Sequence, residues 1–159
     1  MSKRRQKAPE RVSGGYVAMP WAVLDSAAWQ SCSPPARALL LELARQHNGR
    51  NNGHLHLARA WLAGRGWRRP ATVRKLREEL IRNRLIVKTR DGGLNNGSHL
   101  FAVTWHGISD FTGLDMSPKD YQRGGHLLPP LPAEHSRETK NSRTAYVLEK
   151  ASAGNTVCP

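Results

Sequence analysis

The stretch RGWRRPATVRKLREELIRNRLIVKTR, residues 65–90, carries two hydrophobic periods end to end. Val73, Leu76 and Leu80 recur at the three- and four-residue spacing that gathers side chains on one face of a helix. From Leu85 the pattern becomes Leu-Ile-Val-Lys-Thr-Arg, apolar and β-branched, as a strand requires. A helix is therefore expected from about Arg69-Pro70, with proline in the first turn, where its missing N–H costs nothing. A strand, Leu85–Arg90, follows it directly. Ten cations (Arg65, Arg68, Arg69, Arg74, Lys75, Arg77, Arg82, Arg84, Lys88 and Arg90) stand against two acids, Glu78 and Glu79. With Val73 at the centre of the buried face, Leu76, Leu80 and the stem of Arg84 fall into line. The opposite side then carries Arg68, Ala71, Lys75, Glu78 and Arg82, flanked by Thr72 and Arg74. Ala71 and Thr72 are short, so a rod bearing them between long cations can approach a groove closely.

Working outward, Gly64-Arg65-Gly66-Trp67 reads as a tight turn, and Ala58–Ala63 before it as a short helix closed by Gly64 in a left-handed cap. Leu55–Leu57 is expected to be a short strand. Ser33 before Pro34-Pro35 is a strong helix start, and the helix should run to about His47. Ala36, Leu39, Leu40, Leu43, Ala44 and His47 share its inner face, and Asn48-Gly49 stops it. Pro20 opens a helical piece over PWAVLDSAAW, with Trp21, Leu24 and Trp29 available for burial, and Tyr16–Met19 suits a short strand. On the other side, residues 91–97 (DGGLNNG) are turn chemistry and His99–Trp105 a returning strand, so a hairpin follows the charged helix. Trp21, Trp29, Trp61 and Trp105 are expected in the core, and Trp67 as a staple between the two helices flanking its turn.

These elements predict an α+β fold: a winged helix-turn-helix, three helices with a β-hairpin wing, over residues 16–106. Residues 1–15 are a basic, apolar-poor arm. Residues 107–126, with Ile108, Phe111, Leu114 and Tyr121 as anchors, form an extension packing on the domain. Residues 127–159 form a tail that begins with extended LLPPLP and is expected to be flexible.

The chain has 159 residues, with 25 Lys and Arg against 12 Asp and Glu, a net charge of +13 and a pI near 10.9. A surplus of that size attracts polyanions. No apolar run approaches the roughly 20 residues a bilayer span needs, and no apolar stretch follows the N-terminal cations as in a secretory signal. Membrane binding is therefore not expected. Cys32 and Cys158 make no disulfide framework and suit a reducing cytoplasm.

The order of elements resembles the winged helix-turn-helix superfamily of bacterial and phage DNA-binding proteins. PATVRKLREELIRNRLIVKTR is similar to the last helix and wing of many regulators. Together with YVAMPWAVLDSAAWQSCSPPARALLLELARQHNGRNNG and HLFAVTWHGISDFTG, it resembles small proteins of prophages and mobile elements, over about residues 16–121. That likeness implies the winged-helix fold and no catalytic residue. Two positions depart from the pattern. Arg84 stands where regulators often carry glycine, and Arg68-Arg69-Pro70 is an unusually basic entry to the helix.

The function expected is sequence-specific binding of double-stranded DNA, as a transcriptional regulator or replication-associated factor. Arg68, Thr72, Arg74 and Lys75 are assigned to base edges, and Arg65, Arg69, Arg82, Lys88 and Arg90 to phosphates. Wing residues Asn95, Asn96 and His99 are assigned to the backbone or minor groove. The alternative is a mobile-element protein that binds a host protein or nucleoprotein complex, for example to inhibit an immune system, with the winged helix as scaffold. Oligomeric state stays open between monomer and homodimer. No enzyme is expected. Cys32 sits in a helix-capping segment with no Asp-His partner suggested, and no phosphate-cradling GxxxxGK[ST] motif occurs. His54-x-His56 has no ligand pair at a familiar spacing, so neither metal nor cofactor is expected.

Overall fold

The structure, a computed structural model, describes residues 14–94 and 96–132; residues 1–13 of the expected arm (1–15), Asn95 and residues 133–159 of the expected tail (127–159) lie outside the described residues. The fold is mixed α+β. Two single-turn helices, α1 (Trp21–Leu24) and α2 (Ala27–Gln30), precede α3 (Pro34–Ala44), β1 (Leu55–His56), α4 (Arg59–Ala63), α5 (Pro70–Arg82), β2 (Ile86–Arg90) and β3 (Leu100–Val103). The strands form one antiparallel sheet in the order β1-β3-β2. Leu39, Leu40 and Leu43 of α3, Leu62 of α4 and Leu80 of α5 close over Leu55, Ile86, Phe101 and Val103 of the sheet, each 1% exposed or less. Burying each such aliphatic side chain contributes about 1.5–3 kcal/mol.

Local chemistry explains where the chain departs from expectation. The helix expected over residues 20–29 is two turns, because Ser26 interrupts it. Its hydroxyl donates to the Val23 carbonyl (2.6 Å) and accepts from the Trp29 N–H (3.2 Å), capping α2. The break rotates Val23 into the core and leaves Trp21 80% exposed, against the expected burial of Trp21. Trp105 is buried, whereas Trp29 and Trp61 are only partly so. Tyr16–Met19 forms no strand; Val17 and Met19 pack on the core without a ladder partner.

The cap of α4 also differs. Gly64 is right-handed (φ −64°), and the left-handed residue is Gly66 (φ 88°). The Trp67 N–H reaches the Leu62 carbonyl (3.1 Å) and the Gly66 N–H the Ala63 carbonyl (3.2 Å), a Schellman closure two residues later than expected. Trp67, partly buried, packs against the core cluster.

In α5 the burial centre is Leu76 and Leu80, with Val73 at its margin. Glu79 faces α3, where its carboxylate accepts from the Ser33 N–H (2.6 Å) and hydroxyl (3.0 Å). Arg84 lies beyond the Asn83 cap of α5 with φ 56°, the left-handed conformation that glycine adopts without cost, so its stem does not continue the inner face of the helix as expected. β2 then bulges at Thr89, since Lys88 pairs with Phe101 but Arg90 with Leu100. The bulge points the Thr89 hydroxyl at the Gly53 carbonyl, 2.6 Å away.

The segment after β3 folds back on these elements. Tyr121 Oη donates towards the Val103 and His106 carbonyls, Arg123 Nε donates to the Trp105 carbonyl (3.1 Å), and the Asp115 N–H donates to the Thr89 carbonyl (2.8 Å). Gly125–Leu127 is a 3-10 turn, so Leu127 is not part of the extended stretch expected from 127. The Leu131 N–H then caps the Arg82 carbonyl of α5 (2.7 Å). Among the described residues no helix is long and apolar enough to cross a membrane.

Candidate nucleic-acid interface

The start of α5 is electrostatically bare. Its N-cap, Arg69, makes no side-chain hydrogen bond to the helix, Pro70 occupies the first turn, and that turn holds no acid. The positive end of the helix therefore meets no counter-charge from its own first turn. Arg68, Arg69, Ala71, Thr72, Arg74, Lys75, Glu78 and Arg82 are all exposed. Among the described residues no carboxylate lies within ion-pair distance of Arg68, Arg69, Arg74, Lys75 or Arg82. Of the two acids in the stretch, Glu79 is spent on the α3 cap, which leaves only Glu78 on the outer face. The buried face keeps this arrangement rigid, because Leu76 and Leu80 fix the rotation of the helix.

The remaining cations assigned to phosphates are engaged within the protein. Arg65 Nη1 lies 3.4 Å from Glu42 Oε2, and its guanidinium stacks 4.2 Å over the Trp61 ring. Lys88 Nζ donates to Asp91 Oδ1 at 2.7 Å, and this contact holds the Asp91 carboxyl below its ordinary range. Arg90 Nη2 donates to the Asn96 carbonyl (3.2 Å), and Asn96 Nδ2 to the Asp91 carbonyl (2.6 Å). Arg90 thus braces the hairpin as well as charging it. The hairpin is closed by a Gly93–Gly97 bridge and tied at its base by the Asp91 N–H to Asp115 Oδ2 (2.7 Å).

His99 stands 3.4 Å from Asp91 Oδ1 through Nδ1, yet the Gly92 N–H donates to that same nitrogen at 2.9 Å. Burial, and then the nearby Arg77 charge, push its pKa down. The ring is therefore neutral, with Nδ1 the acceptor, and Asp91 has Lys88 as its charged partner.

Two cations outside the sequence assignment adjoin this surface. Arg77 is half-buried on the flank of α5, its guanidinium 6.0 Å from the Phe101 ring, and burial lowers its pKa. Arg59 is exposed at the start of α4. Position 77 falls between the apolar and charged faces of the helix, so only its distance from Val73 and Leu80 hinted at a flanking role. His54 Nε2 lies 3.1 Å from the Thr112 carbonyl, and His56 Nδ1 accepts from the Ala58 N–H (3.4 Å). One nitrogen of each ring of the His54-x-His56 pair is thus engaged locally. Cys32 is buried, accepts from Asn83 Nδ2 (3.2 Å), and burial pushes its thiol up. No protein-family model matches the chain, and no curated protein or solved structure does so either.

Proposed function

We propose that the protein binds double-stranded DNA sequence-specifically as a winged helix-turn-helix, with α4 and α5 as the helix pair and β2–β3 as the wing. One observation carries the reading: Arg74, Lys75 and Arg82 on α5, and Arg68 and Arg69 at its entry, are exposed, outside ion-pair distance of the described carboxylates, beside a braced hairpin. A helix in a major groove reads bases through side chains near its start and meets phosphates along its sides. Arg68, Thr72, Arg74 and Lys75 take the base edges, and Arg69 and Arg82 the phosphates. Arg65, Lys88 and Arg90 are weaker phosphate ligands, since each must leave or share an internal partner. Asn96 and His99 place the wing against the backbone.

The role is that of a non-enzymatic, cytoplasmic regulator or replication-associated factor. Its setting in a phage or mobile element rests on the resemblance over residues 16–121 alone. Selection of bound fragments from a random duplex pool tests the reading: a recovered consensus supports it, and an unenriched pool rejects it. Lys75→Ala should relax the consensus, while Arg82→Ala should weaken all sequences alike. The rival reading, a scaffold that docks a host protein, draws on Trp21, whose 80% exposure suits a protein contact. Capture of one stoichiometric protein after nuclease treatment, abolished by Trp21→Ala, would favour it.

A further inference from the structure

Beside the exposed face of α5 lies a cleft of about 270 Å³, walled by Leu57 and Arg59 at the start of α4, Arg77 on the flank of α5, and Gly93, His99 and Phe101 of the hairpin. No acid lines it. Arg77 is half-buried there, and among the described residues its guanidinium makes no hydrogen bond and has no carboxylate within ion-pair distance. Glu78 and Asp91 act on it only at longer range, and Arg74 opposes them.

A guanidinium carries five N–H donors in a planar fork; those of Arg77 are half-shielded but still reach solvent, so an anion entering the cleft would take the place of water on them. The lowered pKa of Arg77 has burial as the first cause, as expected for a cation whose counter-charge is missing. His99 adds a donor. Its Nδ1 already accepts from the Gly92 N–H, so in the neutral ring the remaining proton is on Nε2. Arg59 adds a second cation at the rim.

We propose that this cleft is a binding site for a phosphate-class oxyanion, with Arg77 as its principal ligand and Arg59 and His99 as further donors. Two guanidinium groups match the charge of a phosphate dianion, whereas a single carboxylate would leave one of them uncompensated. The phosphate can be free, as inorganic phosphate or a phosphomonoester, or it can belong to the backbone of a duplex lying across α5. Only the second source rests on the DNA-binding reading.

The test uses the full chain and three variants: Arg77→Met, which keeps an apolar stem and removes the charge; Arg59→Gln, at an exposed position; and Lys119→Gln, an exposed charge loss away from the cleft. Calorimetric titration with inorganic phosphate, against chloride at matched ionic strength, reads the first source. Anisotropy with a 20-base-pair duplex of random sequence reads the second. For a free phosphate, the phosphate Kd should weaken at least about tenfold in Arg77→Met and about threefold in Arg59→Gln, with Lys119→Gln unchanged.

For a backbone phosphate, inorganic phosphate gives no heat. The duplex Kd should then weaken about tenfold in Arg77→Met, and the slope of log affinity against log salt should fall by about 0.9. Either pattern supports the site, and the first does so even if no duplex binds. If Arg77→Met fails to fold, Arg59→Gln carries both arms. The proposal is overturned if wild type ignores phosphate and Arg77→Met and Arg59→Gln bind duplex no differently from Lys119→Gln.

Discussion

Arg84 occupies a backbone position meant for glycine. Its φ of 56° costs an L-residue about 1–2 kcal/mol, and the chain accepts that cost where α5 turns into β2. Arg84→Gly and Arg84→Ala both delete the side chain, but only glycine relieves the backbone. Urea denaturation should therefore find the glycine variant more stable than the alanine variant by about 1 kcal/mol; equal stabilities would mean the turn is unstrained. The departure was legible in the sequence, because a positive φ is what a glycine in related turns signifies. Glu79 was not. Its partner, Ser33, lies 46 residues away, and no local pattern distinguishes Glu79 from its neighbour Glu78. Glu79→Ala should destabilise the protein by about 1.5–3 kcal/mol in the same assay, as expected for two hydrogen bonds to a charged group, while exposed Glu78→Ala should stay within about 0.5 kcal/mol. Similar losses for both would remove the cap from the account.

At the scale of elements, legibility followed period length. α3, α5, β2 and β3 lie close to their expected places because each repeats its apolar pattern over several residues. The sequence of α1 and α2 reads as one helix, since no local pattern marks Ser26, whose hydroxyl spans the Val23 carbonyl and the Trp29 N–H. Gly64-Arg65-Gly66 offers two glycines for the closure of α4, and the chain uses the second, with the Trp67 N–H on the Leu62 carbonyl. The bulge in β2 was invisible, as it exists to satisfy Gly53, far away in sequence. Thr89 is 1% exposed, so Thr89→Val would leave the Gly53 carbonyl buried without its donor. We expect a loss of about 1–3 kcal/mol by chemical denaturation, together with faster amide exchange in the hairpin. A variant as stable as wild type would show that this bond does not hold the bulge.

For the whole molecule, burial lowers the pKa of His47, His99, His106 and His126 below the ordinary value of 6.5. The unfolded chain thus binds protons first as pH falls, so stability is complete above pH 6.5 and declines below it towards the folded pKa values. Thermal melts should move down as pH drops from about 7 to 5.5, and a flat profile would contradict the burial of these rings. The charged face of α5 was legible from the sequence because helical phase alone decides it. The occupancy of Arg65, Lys88 and Arg90, and the cleft beside Arg77, depend on Glu42, Asp91 and a hairpin whose positions no local pattern gives.

The central claim is that the cations of α5 lie free to neutralise duplex phosphates. It is tested most directly by the salt dependence of full-chain binding to a 20-base-pair duplex. About 0.9 for each of Arg69 and Arg82, the free cations assigned to phosphates, predicts a slope of log affinity against log salt of about −1.8 or steeper, the excess coming from Arg65, Lys88 and Arg90 as they leave their internal partners. A slope near zero, or no binding at low salt, would contradict it.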